Sequence, residues 1–203
     1  MTTDRQARLR QFREHVMAVS SHLGFEHGGW YVERHLLHVE SLALRFLTDH
    51  PQADREVVLA LTWLHDYGKA VSPDEGKAAT LSEGRTAMLD AGLDEPFVDR
   101  VIDLMTPLDQ SSVRDLSQEP IEVQIVSSAD ACSHVTGPFM FIYWQEHAHL
   151  SVDELVEEGR RKLVRDWTRK LVLPEGREYA RSKVRVLLEL LEVPPEDMPP
   201  GLL

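Results

Sequence analysis

The amino-acid sequence predicts an all-α protein that forms a single-domain helical bundle. Apolar residues recur at helical spacing along nearly the whole chain, and strict alternation over the length of a strand is hard to find. The chain has 203 residues, of which 42% are hydrophobic and 28% are charged. Because this length and composition are typical of one folded unit with its own core, residues 1–203 are expected to form one domain.

Turn-forming residues divide the chain into about nine helical segments. Asp54 is expected to cap the third helix, which Gly68 would end, and Ser151 with Glu154 forms a capping box before a later one. The proline-rich residues 194–203 are expected to form a loose tail. The expected helices cover about 4–22, 31–48, 54–67, 82–91, 95–105, 120–135, 139–149, 151–170 and 174–193.

Charge and apolar patterning exclude several classes of partner. The formal net charge of -12 repels polyanions, so no nucleic-acid polymer is expected as a partner. The basic run from Arg160 to Lys170 follows an acidic turn, a pattern that favours the solvated face of one helix. No apolar stretch reaches the roughly 20 residues of a membrane span. A single cysteine, Cys132, and the lack of a secretory leader pattern favour a cytoplasmic protein.

The strongest candidates for chemistry lie at the end of the third helix, where His65 and Asp66 follow an apolar run. Neighbouring helical residues differ by about 100° in direction, so this pair can hold an ion beside the helix end, although two ligands cannot fill its coordination sphere. His38 on the preceding helix and Asp130 on a later one are expected to complete the site. Asp130 lies in an apolar run, where an ionised carboxylate needs a counter-charge or a metal.

The order His38, then His65-Asp66, then Asp130, all on predicted helices, resembles the H...HD...D signature of the HD-domain superfamily of metal-dependent phosphohydrolases. The resemblance covers about residues 31–136 and implies a bundle of the HD type in which these four side chains hold one divalent ion. Lys69 is similar to the lysine of the family's HD-x-G-K variant. Members with two metals carry further histidines before the last aspartate. Here Thr80 stands at such a place, so one metal is expected.

Two imidazoles and two carboxylates suit one divalent transition metal ion, namely Mn²⁺, Fe²⁺, Co²⁺, Ni²⁺ or Zn²⁺. The resemblance implies hydrolysis of a small phosphorylated metabolite, with a nucleotide as the leading candidate. Asp66 and Lys69 are then the expected catalytic residues, and Arg34 and Lys69 the expected phosphate-binding residues. Two alternatives stay open: a nucleotide-binding regulatory module with little or no turnover, and a metal-dependent oxygenase, which the missing histidines disfavour.

Other residues have competing interpretations. His35 forms a His-x-x-His pair with His38 but is expected at the surface, and His134, one turn after Asp130, can approach the site. The aromatic segment 139–144 either lines a base-stacking pocket or belongs to the core. Together with the last helix it can also pack against a second copy of the chain, so a homodimer is a further possibility. Candidates for a general base are Asp74, Glu75 and Glu83.

Overall fold

The computed structural model describes residues 2–22, 24–111 and 113–203, with side chains from Asp4 onward. Over these residues the secondary structure is helical and contains no strand, which confirms the all-α fold. A π-helical turn, Val32–Leu36, runs directly into α2, and a second one, Asp166–Lys170, continues α9. The helices are α1 (Thr2–Ser20), α2 (Leu37–Phe46), α3 (Arg55–Leu64), α4 (Tyr67–Val71), α5 (Lys77–Asp90), α6 (Glu95–Asp109), α7 (Ile121–His134), α8 (Phe139–Glu146), α9 (Val152–Arg165) and α10 (Pro174–Leu190), with a 3₁₀ turn at Pro195–Asp197.

Two of the predicted helix starts are confirmed by their hydrogen bonds. The Asp54 carboxylate accepts the backbone N–H groups of Glu56 at 3.0 Å and Val57 at 3.3 Å. Ser151 and Glu154 form the reciprocal capping box at the start of α9. Each cap satisfies amide groups that a helix start leaves unpaired, and is worth about 0.5–2 kcal/mol.

Helix α7 lies at the centre of the bundle, where it packs against α2, α3, α6, α10 and the second π-helical turn. Residues 125–134 are all buried. A helix that is covered on every side is normally apolar all round, yet α7 carries Asp130 and His134. These polar side chains therefore need partners inside the protein.

The HD pair lies in a sharp turn between two helices rather than inside one. Helix α3 ends at Leu64, and His65 and Asp66 connect it to the short helix α4, so the predicted helix over 54–67 was too long. The backbone at Gly68 packs directly on the start of α5 and donates its N–H to Thr80 Oγ1 at 3.0 Å. A β-carbon at this position would overlap the carbonyl oxygen of Gly76 and the backbone nitrogen of Thr80. The close approach therefore requires glycine.

Replacing Gly68 with alanine is expected to lower the free energy of unfolding by about 1–3 kcal/mol, because the added methyl group must push α5 away. Gly29→Ala is the matched control, since a β-carbon there has no atom within 4 Å. We expect it to change stability by less than about 0.5 kcal/mol. Urea denaturation of both variants measures the difference, and equal stabilities would contradict the prediction.

The C-terminal residues are packed, so the prediction of a loose tail is wrong. Leu202 is 1% exposed, and Trp167 Nε1 donates to the carbonyl oxygen of Pro200 at 3.0 Å. The proline content favoured a loose tail, but burial of Leu202 and the hydrogen bond from Trp167 hold these residues against the bundle. Most of the buried apolar residues between Leu9 and Leu202 belong to one cluster. Within the described residues, no helix combines the length and the apolar character needed to cross a membrane.

Candidate metal centre

Three histidines and two aspartates meet beside the turn between α3 and α4. The Nε2 atoms of His35 and His65 lie 3.3 Å apart. Each of these atoms also faces one oxygen of Asp66 and one of Asp130, at 3.6 Å for His35 and 3.7 Å for His65. His134 Nε2 lies 3.3 Å from the same oxygen of Asp130. We call these five residues the histidine-aspartate cluster.

The structure corrects one of the four predicted ligands. It brings His65, Asp66 and Asp130 together, but the histidine that joins them is His35, whereas the half-buried His38 lies outside the cluster. His35 is 1% exposed, so the expectation of a surface position was also wrong.

The apolar pattern of this helix explains why His35 is the inward residue. Val32, Leu36 and Val39 are buried and mark the inward face. At about 100° per residue His35 lies at the edge of that face, about 65° from its centre, whereas His38 points about 125° away from the centre. The periodicity of the buried residues could therefore have distinguished the two histidines, because the order H...HD...D is satisfied by either one.

The predicted substrate ligands have different positions. Lys69 lines the cavity above the cluster, with its Nζ 2.8 Å from Asp66 Oδ1. Arg34 is exposed and does not line this cavity, because it lies one residue away from the inward-facing His35. The candidate general bases also lie outside the cavity wall, on exposed parts of the surface: Asp74, Glu75 and Glu83.

Hydrogen bonds on the far side of each ring determine which nitrogen faces the cluster. His65 Nδ1 lies 2.6 Å from the carbonyl oxygen of Thr62, which can only accept, so Nδ1 carries the hydrogen. The Ser133 hydroxyl donates to the carbonyl oxygen of Asp130 at 2.7 Å, so it accepts from His35 Nδ1 at 2.9 Å. Both Nε2 atoms therefore direct lone pairs at each other and at carboxylate oxygens. Such an arrangement of buried acceptors fits a bound cation.

Neighbouring groups keep both carboxylates ionised. Burial would raise the pKa of Asp66, but the positive charge of the Lys69 ammonium group opposes this effect, and the pKa of Asp66 lies well below its usual range. The Tyr31 hydroxyl donates to Asp66 Oδ2, and burial together with this carboxylate raises the pKa of Tyr31 well above its ordinary value. The Lys170 ammonium group pairs with Asp130 Oδ2 and, against the effect of burial, holds the pKa of Asp130 well below its usual range.

The second π-helical turn and the end of α9 supply groups that the sequence analysis placed in solvent. Asp166 is 2% exposed and accepts from His134 Nδ1 at 2.8 Å. The side chains of Lys162 and Lys170 are only 13% and 11% exposed, so the basic run is in part a wall of the site. Burial lowers the pKa of Lys162 to about 8, and burial also lowers the pKa of His134, to about 3.

The cluster forms part of the wall of a cavity of about 410 Å³. Phe139 and Tyr143 from the aromatic segment line it with nearly parallel rings, 6.4 Å between centroids, and Trp30 lies beside Phe139 at 5.6 Å. Other members of that segment are not part of the wall; Phe141 is 69% exposed. Five basic side chains also line the cavity: Lys69, Lys77, Lys162, Arg165 and Lys170.

Asp109 is a cavity residue that the sequence analysis did not identify. The fifth predicted helix, 95–105, was too short, because α6 continues through Pro107 and its last residue is Asp109. Burial raises the pKa of Asp109 to about 6. A carboxyl group with such a pKa can exchange a proton near neutral pH.

Asp109→Asn is expected to stabilise the protein at pH 7 by about 1–2 kcal/mol, because the folded-state pKa lies above the unfolded value and solvent screens part of the effect at this half-buried group. The native protein holds this proton more tightly, so its stability falls as the pH rises between about 4 and 6, and the cost remains at higher pH. The variant should lose this part of the pH dependence. Urea denaturation from pH 4 to pH 8 measures it, with the exposed Asp103→Asn on the same helix as control. A variant no more stable than wild type at pH 7 would contradict the prediction.

The fold and the cluster define a class of protein: an all-helical chain with a buried site suited to a divalent cation. The sequence profile of the HD domain family matches residues 32–134, which is about half of the chain and contains the whole cluster. The chain therefore belongs to the HD domain family, whose members are commonly metal-dependent phosphohydrolases. No curated protein and no solved structure matches the sequence.

Proposed function

We propose that the chain is a metal-dependent phosphohydrolase that acts on a small phosphorylated metabolite with an aromatic group, for which a nucleotide is the best fit. The observation that carries the proposal is the convergence of histidine lone pairs and ionised carboxylates in the wall of a cavity that basic and aromatic side chains also line. The residues that would hold the ion are His35, His65, Asp66 and Asp130.

The donor set fits one divalent transition metal ion, because imidazole nitrogens favour such ions over Mg²⁺ and Ca²⁺. When bound, the ion supplies Lewis-acid chemistry, in which it lowers the pKa of a water molecule and polarises a phosphoryl group. The protein contributes the fixed orientation of its ligands. Tyr31 and Lys69 each hold one oxygen of Asp66, and Lys170 holds one oxygen of Asp130.

Lys69 and Asp109 are the residues that we assign to the reaction besides the metal ligands. The Lys69 side chain is 55% exposed, so its ammonium group can move from Asp66 to a phosphoryl oxygen without losing a buried position. There it would balance negative charge that develops during hydrolysis. Asp109 lines the same cavity and is suited to accept or donate a proton at its carboxyl oxygens.

The cavity walls support a phosphorylated aromatic substrate. The volume of about 410 Å³ lies within the range of about 300–1,000 Å³ that small-molecule sites occupy. Lys162 lies 5.3 Å from the ring centre of Phe139, so basic and aromatic surfaces adjoin. A nucleotide presents a flat ring to the aromatic surface and phosphate oxygens to the basic one.

Two further predictions are independent of the cavity. They are a homodimer that forms through α8 and α10, and a location in the cytoplasm.

Phosphate release from a panel of nucleotides and sugar phosphates, with Mn²⁺, Co²⁺ or Ni²⁺ added, tests the proposal. We expect metal-dependent turnover that disappears in Asp66→Ala and persists in Asp74→Ala, whose side chain is exposed and outside the cavity. Nucleotide binding without turnover by the metal-loaded protein would overturn the proposal in favour of a regulatory module. Oxygen consumption without phosphate release would overturn it in favour of an oxygenase.

A further inference from the structure

We infer that His134 is a further ligand of the divalent ion and that Asp166 positions it. This inference rests on the metal site of the proposed function but is independent of the reaction. His134 Nε2 faces Asp130 Oδ1 at 3.3 Å, and the ring stacks parallel to that of His35, with 5.5 Å between centroids and an angle of 7°. The ligand atoms of His134, His35 and Asp130 thus lie together, all within 4.8 Å of one another.

The bond to Asp166 determines the tautomer of His134. Asp166 Oδ2 lies 2.8 Å from Nδ1, and a carboxylate can only accept, so Nδ1 carries the hydrogen and Nε2 is left with a lone pair. Metal-binding histidines characteristically donate their second ring nitrogen to a carboxylate in this way. All three histidines of the cluster share the arrangement, since His35 and His65 are held through Nδ1 as well.

A doubly protonated His134 between two carboxylates is the alternative, and the nearby lysines argue against it. Lys170 pairs with Asp130, and Lys162 Nζ lies 3.7 Å from Asp166 Oδ2. Both carboxylates thus have a cationic donor already, so neither requires a proton on His134 Nε2 as a hydrogen-bond partner. With a neutral ring, Nε2 and Asp130 Oδ1 are two acceptors in contact without a hydrogen between them. A cation shared with His35 satisfies both atoms.

The same lysines favour one ion with an additional ligand over a second ion. A second divalent cation at His134 and Asp130 would add two further positive charges to a site that already holds the first ion beside the Lys170 ammonium group. Repulsion in this buried setting is strong. We therefore place His134 on the ion that His35, His65, Asp66 and Asp130 hold. A set of three imidazoles and two carboxylates favours Co²⁺, Ni²⁺ or Zn²⁺ over Mg²⁺ more strongly than two imidazoles do.

One turn of backbone supports both α7 residues. Asp166 and Lys170 are the first and last residues of the second π-helical turn, and they contact His134 and Asp130 respectively. Departures from α-helical geometry of this kind are frequent at functional sites. The pairing of two neighbouring groups on one helix with two groups on one turn indicates a built site rather than a chance contact.

Co²⁺ binding to the metal-free full-length protein tests the inference, followed by calorimetry and by the visible absorption spectrum. We expect His134→Ala to weaken Co²⁺ binding by about 10–100-fold and to change the spectrum, and Asp166→Asn to weaken it by about 10-fold. His149→Ala, an exposed histidine, should bind as the wild type does. Unchanged Co²⁺ affinity and spectrum in His134→Ala would overturn the inference.

X-ray absorption of the Zn²⁺-loaded wild-type protein gives a test that needs no variant to fold. Scattering from three imidazoles is the expected result, and scattering from two would overturn the role of His134 while leaving the proposed function in place. Failure of the wild-type protein to bind Co²⁺ or Zn²⁺ at all would overturn the metal site itself, and with it both proposals.

Discussion

Replacing His35 with alanine is expected to weaken metal binding by at least about 100-fold and to remove metal-dependent phosphate release. His35 Nε2 lies within 3.3–3.6 Å of His65, Asp66 and Asp130, so its replacement removes the donor atom that contacts all three of these residues. Its ring is fully enclosed and is oriented by Ser133. The loss should therefore appear both in the affinity for Co²⁺ and in the metal content of the purified protein.

His38→Ala is the matched control, three residues along the same helical segment. Because His38 lies outside the cluster, we expect its replacement to keep the metal affinity within about twofold of the wild type. Elemental analysis after dialysis, together with calorimetric titration, compares the two variants directly. Loss of binding in His38→Ala with retention in His35→Ala would contradict the structure and restore the ligand set expected from residue order alone.

Replacing Lys170 with methionine is expected to lower the free energy of unfolding of the metal-free protein by about 3–5 kcal/mol, because it leaves Asp130 buried without its positive partner. Methionine keeps most of the volume of the lysine side chain, so lost packing contributes little. A bound divalent ion supplies positive charge to the same carboxylate. The loss relative to wild type should therefore be smaller when both proteins are loaded with metal.

Urea denaturation with EDTA and with saturating Ni²⁺ measures this difference. Arg161→Met is the control on the same basic run, since Arg161 is 61% exposed and its pair with Glu158 is a surface one. Such pairs contribute about 0–1 kcal/mol. A Lys170→Met protein that loses less than about 1 kcal/mol, or loses the same amount with and without metal, would show that Lys170 does not compensate Asp130.

The all-α fold and several helix starts could be predicted because they depend on local patterns. Apolar spacing and the caps at Asp54 and Ser151 are properties of a few neighbouring residues. The HD turn could be recognised from His65-Asp66 and its setting. The apolar periodicity of their helix also distinguishes His35 from His38. The prediction of His38 rested instead on the order of the motif residues, which either histidine satisfies.

The other residues of the site, Asp166, Lys170 and Asp109, depend on tertiary packing, which cannot be predicted from a few neighbouring residues. Asp166 and Lys170 follow an amphipathic helix, and their sequence alone is equally suited to a solvated surface. They become site residues only because the second π-helical turn packs on α7, about 40 positions away from Asp130 in the chain. Asp109 was missed for a different reason, since Pro107 normally argues against a continuing helix.

The contacts of Asp166 and Lys170 have a consequence for where this protein can be divided. The segment that resembles other HD domains, 32–134, ends before either residue and also before Trp167, which the C-terminal residues cover. A fragment limited to residues 32–134 would lack Lys170, the partner of Asp130, and Asp166, the partner of His134. Both α7 side chains would then lose their partners, and the core around them would be exposed. We therefore expect a fragment that folds on its own to extend beyond residue 134, through the second π-helical turn and as far as the buried Leu202.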